Sequence, residues 1–231
     1  MKPENTFTHA YYGSILAKAL DAGYKFTTMR KHWDDGCPSE GRFILRHDVD
    51  TNPLTLKGIL DVEAAHRVPS TVYVRVTGNT YNPFDYRTFP LFNRVVESGG
   101  EIGLHSNFVE FTLLNGMKQD NQIVSMLMAE FRALGEFYPV SGLACHRDLN
   151  YTYNSLPWLE ENWQLVKSCD LRLEYQAYDP KIMGSFNYVN ETAEQRLGWR
   201  SLTPEAAIVL GRSICMSTHP HWWFKDHPFE V

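Results

Sequence analysis

Long apolar runs are missing from this sequence: nowhere do about 18 apolar residues follow one another, so no segment reads as a membrane-spanning helix. The first residues, Met1-Lys2-Pro3-Glu4-Asn5, lack the basic and apolar regions of a signal peptide. A soluble protein of the cytoplasm is the expectation. Cysteine is scarce and scattered: Cys37, Cys145, Cys169 and Cys215 show no paired spacing, so neither a disulfide framework nor a cysteine zinc site is indicated. Positive charge is also short. The formal net charge is −5 and no basic stripe stands out, which leaves a phosphate backbone nothing to bind and argues against a nucleic-acid partner. No linker, repeat or low-complexity segment stands out in the poorly patterned stretch 171–200, and with a length that fits one domain residues 1–231 are read as a single domain. Within it, 43 % hydrophobic side chains suffice for a full core. The ligand these exclusions leave is a small or polar molecule.

What is present is an alternation of two periodicities. Tyr11/Tyr12, Ile15/Leu16 and Ala19/Leu20 recur four apart and meet Gly23, which predicts a helix with its stop signal. Phe43 to Arg46 reads as a strand, and Asn52-Pro53 as the cap and first turn of a helix carrying Leu56, Leu60 and Ala64. Strands at 70–76, 101–105 and 140–145 then alternate with helices at 86–97 and 119–134. Residues 165–168 and 212–218 are read as later strands, whereas 171–200 give little signal. Strands alternating with helices imply βαβ units and a parallel sheet, either doubly wound or closed into a barrel.

The residues suited to metal chemistry collect at the predicted C-terminal ends of strands: Asp48 and Asp50, then His105, then His146 with Arg147, then His219. In parallel α/β proteins that edge is where sites form. Alternation along a strand adds a second argument. Two and four residues behind the histidines stand small residues, Gly103, Ala144, Gly142, Ser217 and Cys215, while the opposite parity carries Ile102, Leu104, Leu143, Ile214 and Met216. The histidines are therefore expected to point together toward a barrel mouth. On the same face Arg46 becomes an interior charge that needs a carboxylate, such as Glu101. The plain structural alternative has Asp48 and Asp50 pairing with Arg46 and capping the helix after Pro53. Carboxylates and imidazoles converging on one edge suit zinc, and also manganese, iron, cobalt or nickel. Trp222 and Trp223 lie beside these residues and are candidates to stack on sugar rings, with His221 two residues past His219. His9, His32, His47, His66 and His227 are assigned to surface or packing.

At these residues the sequence resembles the polysaccharide deacetylase superfamily, the NodB-homology domain or carbohydrate esterase family 4. Phe43-Ile44-Leu45-Arg46-His47-Asp48-Val49-Asp50 resembles its first motif in an HDVD variant, and Gly99-Gly100-Glu101-Ile102-Gly103-Leu104-His105-Ser106 its second. Cys145-His146-Arg147-Asp148 stands in place of the third motif, and Ile214 to His219 resembles the last. The resemblance implies a distorted (β/α) barrel of about seven parallel strands and one divalent metal ion. It also implies hydrolysis of N-acetyl, or O-acetyl, groups on a sugar, in a setting such as bacterial surface-polysaccharide or O-antigen synthesis. By it Asp50 and His105 are metal ligands, Asp48 is the general base, Arg147 orients that base and His219 is the general acid. Val109 stands where the family has a further ligand histidine, so either His146 supplies the third ligand or metal binding is weak. The rival readings are an allantoinase-like cyclic amidohydrolase and a non-catalytic metal- or sugar-binding barrel.

Overall fold

Helix α1 (His9–Asp21) starts where the Thr8 hydroxyl accepts the Tyr11 N–H at 3.1 Å, and it buries Tyr12, Ile15, Leu16 and Ala19. It ends before Gly23, whose φ of 84° is one that a glycine adopts without strain. The computed structural model describes residues 7–78, 80–117, 119–146, 155–170, 172–192 and 198–226. After α1 come β1 (Lys25–Thr27), α2 (Met29–Asp34) and β2 (Arg42–Val49). The Asn52 side chain then accepts the Leu54 N–H at 3.1 Å, opening a short turn (Pro53–Thr55) that leads into α3 (Leu56–His66). β3 (Thr71–Val74), α4 (Phe89–Glu97), β4 (Glu101–Ser106), α5 (Phe108–Leu114), α6 (Asp120–Gly135) and β5 (Gly142–Cys145) follow. The rest is α7 (Ser155–Cys169), β6 (Tyr175–Gln176), α8 (Pro180–Ser185), β7 (Phe186–Thr192), β8 (Gly198–Trp199), α9 (Pro204–Val209) and β9 (Ser213–Thr218).

The strands form one mixed α/β domain around a curled, mostly parallel sheet in the order β6-β5-β4-β3-β2-β9-β7-β8, with β1 paired to the start of β2. Among the described strands only the β7–β8 ladder is antiparallel. This is a half-barrel. A full barrel would need a ladder between β6 and β7, and no such pairing exists among the described residues. β6 is two residues long, and the seam beyond it is filled by side chains, with Tyr175, Ile182 and Phe186 in one cluster with Ile44 and Cys215.

Two faces of the sheet do different work. Ile102, Leu104, Leu143, Ile214 and Met216 pack into the large core beneath the helices. The opposite face is crowded by Tyr73, Tyr175 and Arg46, all buried. A Cβ added to Gly103 would strike the Tyr73 ring and one added to Gly142 the Tyr175 ring, which is why this face reads as small residues.

Several expectations need correction. Residues 165–168 are not a strand but the last turns of α7, whose buried Leu159 and Val166 lie seven apart on one helical face. Ala64 is exposed, and Glu63 takes the buried position on α3. The segment 171–200 holds β6, α8, β7 and β8. Of the two partners open to Arg46, the structure has Asp48, the structural alternative, and not Glu101: Nε and Nη2 each reach a different Asp48 oxygen at 2.8 Å. Glu101 turns to the other end of the sheet, accepting the Arg30 N–H at 2.8 Å and the Thr71 and Tyr175 hydroxyls.

Candidate metal centre

β2 carries Asp48 and leads directly into Asp50, β4 carries His105, and His146 and His219 follow the last residues of β5 and β9. Parallel strands in register bring these ends to one edge. The His146 N–H donates to the Ser106 carbonyl at 2.8 Å, so the chain stays beside β4 for one residue past its strand.

The convergence centres on Asp50. Its Oδ1 lies 3.2 Å from His105 Nε2 and 3.4 Å from His146 Nε2, and its Oδ2 lies 3.5 Å from His219 Nε2. Asp50, His105 and His146 form a group able to hold a metal ion, their ligand atoms all within 4.8 Å of one another. The His105 ring fixes what stands between these atoms. Its Nδ1 lies 2.9 Å from the Ala144 carbonyl oxygen, which can only accept, so Nδ1 carries the hydrogen. In the neutral ring Nε2 then aims a lone pair at a buried carboxylate oxygen. Two acceptors facing each other at 3.2 Å require a positive charge between them or a proton on the ring. Burial alone would raise the Asp50 pKa, but bonds to His105 and His146 and the charges of the imidazoles hold it well below the usual carboxylate range.

Asp48 lies deeper, with Oδ2 3.9 Å from His105 Nε2. Its structural role and its candidate role coincide: it is the partner of Arg46, which is fully buried, also bonds Tyr178 OH at 2.8 Å, and lies over the rings of Tyr73 and Tyr178. Against the effect of burial, Arg46 and the nearby histidines keep the Asp48 carboxyl ionised, below its ordinary pKa. Asp50 does not cap the following helix, a task that falls to Asn52.

His219 has a partner that the sequence reading did not single out. Glu191, buried on β7, accepts the His219 N–H at 2.7 Å and His219 Nδ1–H at 3.0 Å through Oε2, and its Oε1 accepts the Trp223 indole N–H. Burial disfavours the imidazolium, but the bond to Glu191 and its charge outweigh this and lift the His219 pKa to about 8. Glu191 stands two past Val189 in the run Phe186-Asn187-Tyr188-Val189-Asn190-Glu191-Thr192, in which the neighbours Tyr188-Val189 and Asn190-Glu191 break any strict alternation. The two asparagines in that run made it look unlike a strand.

No protein-family model, curated protein or solved structure matches this chain.

The remaining site candidates separate. Trp222 is half-buried with its ring centroid 4.3 Å from that of His219, so it walls the site. Trp223 is 2 % exposed, packed on Phe7 and Tyr12 and bonded to Glu191, so it supports the site from the core and presents no face to a ligand. The His221 ring lies 6.0 Å from that of His219, and burial with the charge of His219 drives its pKa down to about 4, which makes it a neutral imidazole. Val109 is buried on α5, leaving His146 as the third donor of the metal group. Arg147 and His227 lie outside the described residues. His47 proves to be the centre of a buried network behind the sheet, bonded to Thr218 and to Glu63, which also accepts the Tyr12 and Ser70 hydroxyls.

Proposed function

We propose that the protein is a metal-dependent deacetylase that hydrolyses an N-acetyl, or O-acetyl, group on a sugar. One observation carries the reading: a single carboxylate, Asp50, is met on one oxygen by His105 and His146 and on the other by His219, whose second nitrogen is held by Glu191. Asp50, His105 and His146 would hold one divalent ion, with zinc the first candidate for two imidazoles and a carboxylate. Such an ion supplies Lewis acidity to water and to an acyl oxygen. Asp48, kept ionised by Arg46, takes the proton from water. His219, charged at neutral pH, faces the same space and gives its Nε2 proton to the departing sugar nitrogen. Trp222 flanks this donor and supplies an apolar face for a sugar ring.

The half-barrel is the frame on which we read a distorted (β/α) barrel with a side-chain-filled seam. The HDVD resemblance extends the proposal to bacterial surface-polysaccharide synthesis in the cytoplasm. No helix of the described residues is long and apolar enough to cross a membrane.

The test is acetate release from acetylated sugars by chelator-treated protein before and after zinc, manganese, iron, cobalt or nickel is restored, with allantoin run in parallel. Metal-dependent acetate release supports the reading. Metal-dependent opening of allantoin without acetate release would transfer the site to the cyclic amidohydrolases, and metal binding without turnover of either would make it a binding barrel.

A further inference from the structure

Helix α6 buries an apolar row that includes Leu127, Phe131 and Leu134, and with them one acid, Glu130, which is 1 % exposed. A carboxylate in such a face is costly unless its oxygens are met. Burial lifts the Glu130 pKa above its ordinary value, against the pull of its hydrogen bonds and of the Arg75 charge. A leucine or methionine would fill the same space without that cost. The acid is therefore to be explained by what it holds.

Its two oxygens reach two different pieces of the sheet edge that carries the metal group. Oε2 accepts the hydroxyl of Ser106, the residue after His105. Oε1 accepts the hydroxyl of Thr77, in the loop after β3, and the Thr77 N–H at 3.2 Å. Both partners stand close along the chain to the metal donors. Ser106 is bonded through its peptide to His105, and its carbonyl accepts the His146 N–H at 2.8 Å. Three residues past Thr77, Thr80 Oγ1 donates to the Asp50 carbonyl at 2.7 Å. Next to it Tyr81 OH donates to the Val49 carbonyl at 2.8 Å and accepts the Arg75 N–H at 2.8 Å. One carboxylate thus ties the end of β4 to the loop after β3, and the backbones of Asp50, His105 and His146 all lead back to it. With the apolar Val109 on α5, the metal group has three donors to place, and small displacements of any one would be felt by a bound ion.

We propose that Glu130 is a positioning residue for the metal group, which holds the end of β4 against the loop after β3 and so sets the placement of Asp50, His105 and His146. The proposal rests on the metal half of the deacetylase reading and is independent of the group that is hydrolysed. It is tested on the full chain, freed of metal by a chelator, through zinc calorimetry, the visible spectrum of the cobalt(II) form and the melting temperature without metal. Glu130→Leu suits the apolar face, and Glu130→Gln keeps the shape and one acceptor oxygen. Leu127→Ala, three residues earlier on the same face, is the control, since it opens a cavity but removes no bond to Ser106 or Thr77. The zinc Kd is expected to rise about 10–100-fold in Glu130→Leu and by less in Glu130→Gln, with the cobalt(II) bands shifted in both. Leu127→Ala should lower the melting temperature and leave zinc affinity and spectrum as they were. Ser106→Ala added to Glu130→Gln should raise the Kd little further, because both break one shared bond. Folded Glu130 variants that bind zinc as tightly as the unaltered protein overturn the proposal. So does a Leu127→Ala control that weakens zinc equally, since the effect is then one of general stability. If Glu130→Leu does not fold, Glu130→Gln decides by the same criterion. An unaltered chain that binds neither zinc nor cobalt sinks the metal reading and this role with it, while zinc binding without acetate release sinks the deacetylase alone.

Discussion

Glu191 sets the pH range in which His219 is charged. The folded value of about 8 stands above the ordinary 6.5, so the imidazolium contributes stability that is fully present below about pH 6.5 and is lost as pH rises through about 8. If His219 is the acid, the rate falls over the same upper limb. Glu191→Gln should move that limb to lower pH in a kcat profile, and an unmoved limb would remove Glu191 from the role. His219→Ala should keep the metal but slow amide hydrolysis by ~10²–10⁴, with a much smaller loss on activated acetyl esters, whose leaving groups need little protonation. Equal losses on both substrates would count against it. Asp48→Asn should abolish activity while leaving Asp50, His105 and His146 able to bind metal. It also strands the buried Arg46 guanidinium, and removing one partner of a buried pair costs about 3–5 kcal/mol. Chemical denaturation should show this loss, and replacing both residues, as in Arg46→Met with Asp48→Leu, should recover much of it.

At the level of strands and helices, legibility followed pattern length. The inward face of β4, β5 and β9 could be read because small and bulky residues alternate over several positions, and the alternation exists because tyrosines fill the space that those small residues leave. The four residues Leu165 to Ser168 were too few to reveal a period, and they belong to a helix whose spacing shows only from Leu159 to Val166. β7 escaped because Asn187 and Asn190 dilute its strand character, and with it went Glu191. The metal group and His219 were legible from their positions at strand ends. The pairing of Arg46 with Asp48 was legible only as one of two options, since the strand alternation puts Asp48 and Glu101 alike within its choice of carboxylates and leaves the selection to the packing. Gly142→Ala tests the crowding directly. The new Cβ would meet the Tyr175 ring, and overpacking of this kind costs about 1–3 kcal/mol, to be read from the denaturation midpoint.

For the molecule as a whole, the metal group joins β2, β4 and the end of β5, so an ion bound only by the folded chain stabilises all of them together. At a free concentration 100 times its Kd the gain is about 2.7 kcal/mol. In a domain of this length that corresponds to a Tm rise of about 5–10 °C, which a chelator should reverse and which His105→Ala should abolish. The position of β9 has a consequence for the newborn chain. This strand leaves the ribosome after the other described strands, yet it lies between β2 and β7 and, among the described residues, is the strand whose ladders join β7 and β8 to the rest of the sheet. Until it threads into that slot, the growing polypeptide can gather Asp50, His105 and His146 but has no His219 to set against them. On the proposed reading the metal group is therefore complete before β9 is made, and the acid, His219, arrives only with the strand that ties β7 and β8 to the rest of the sheet.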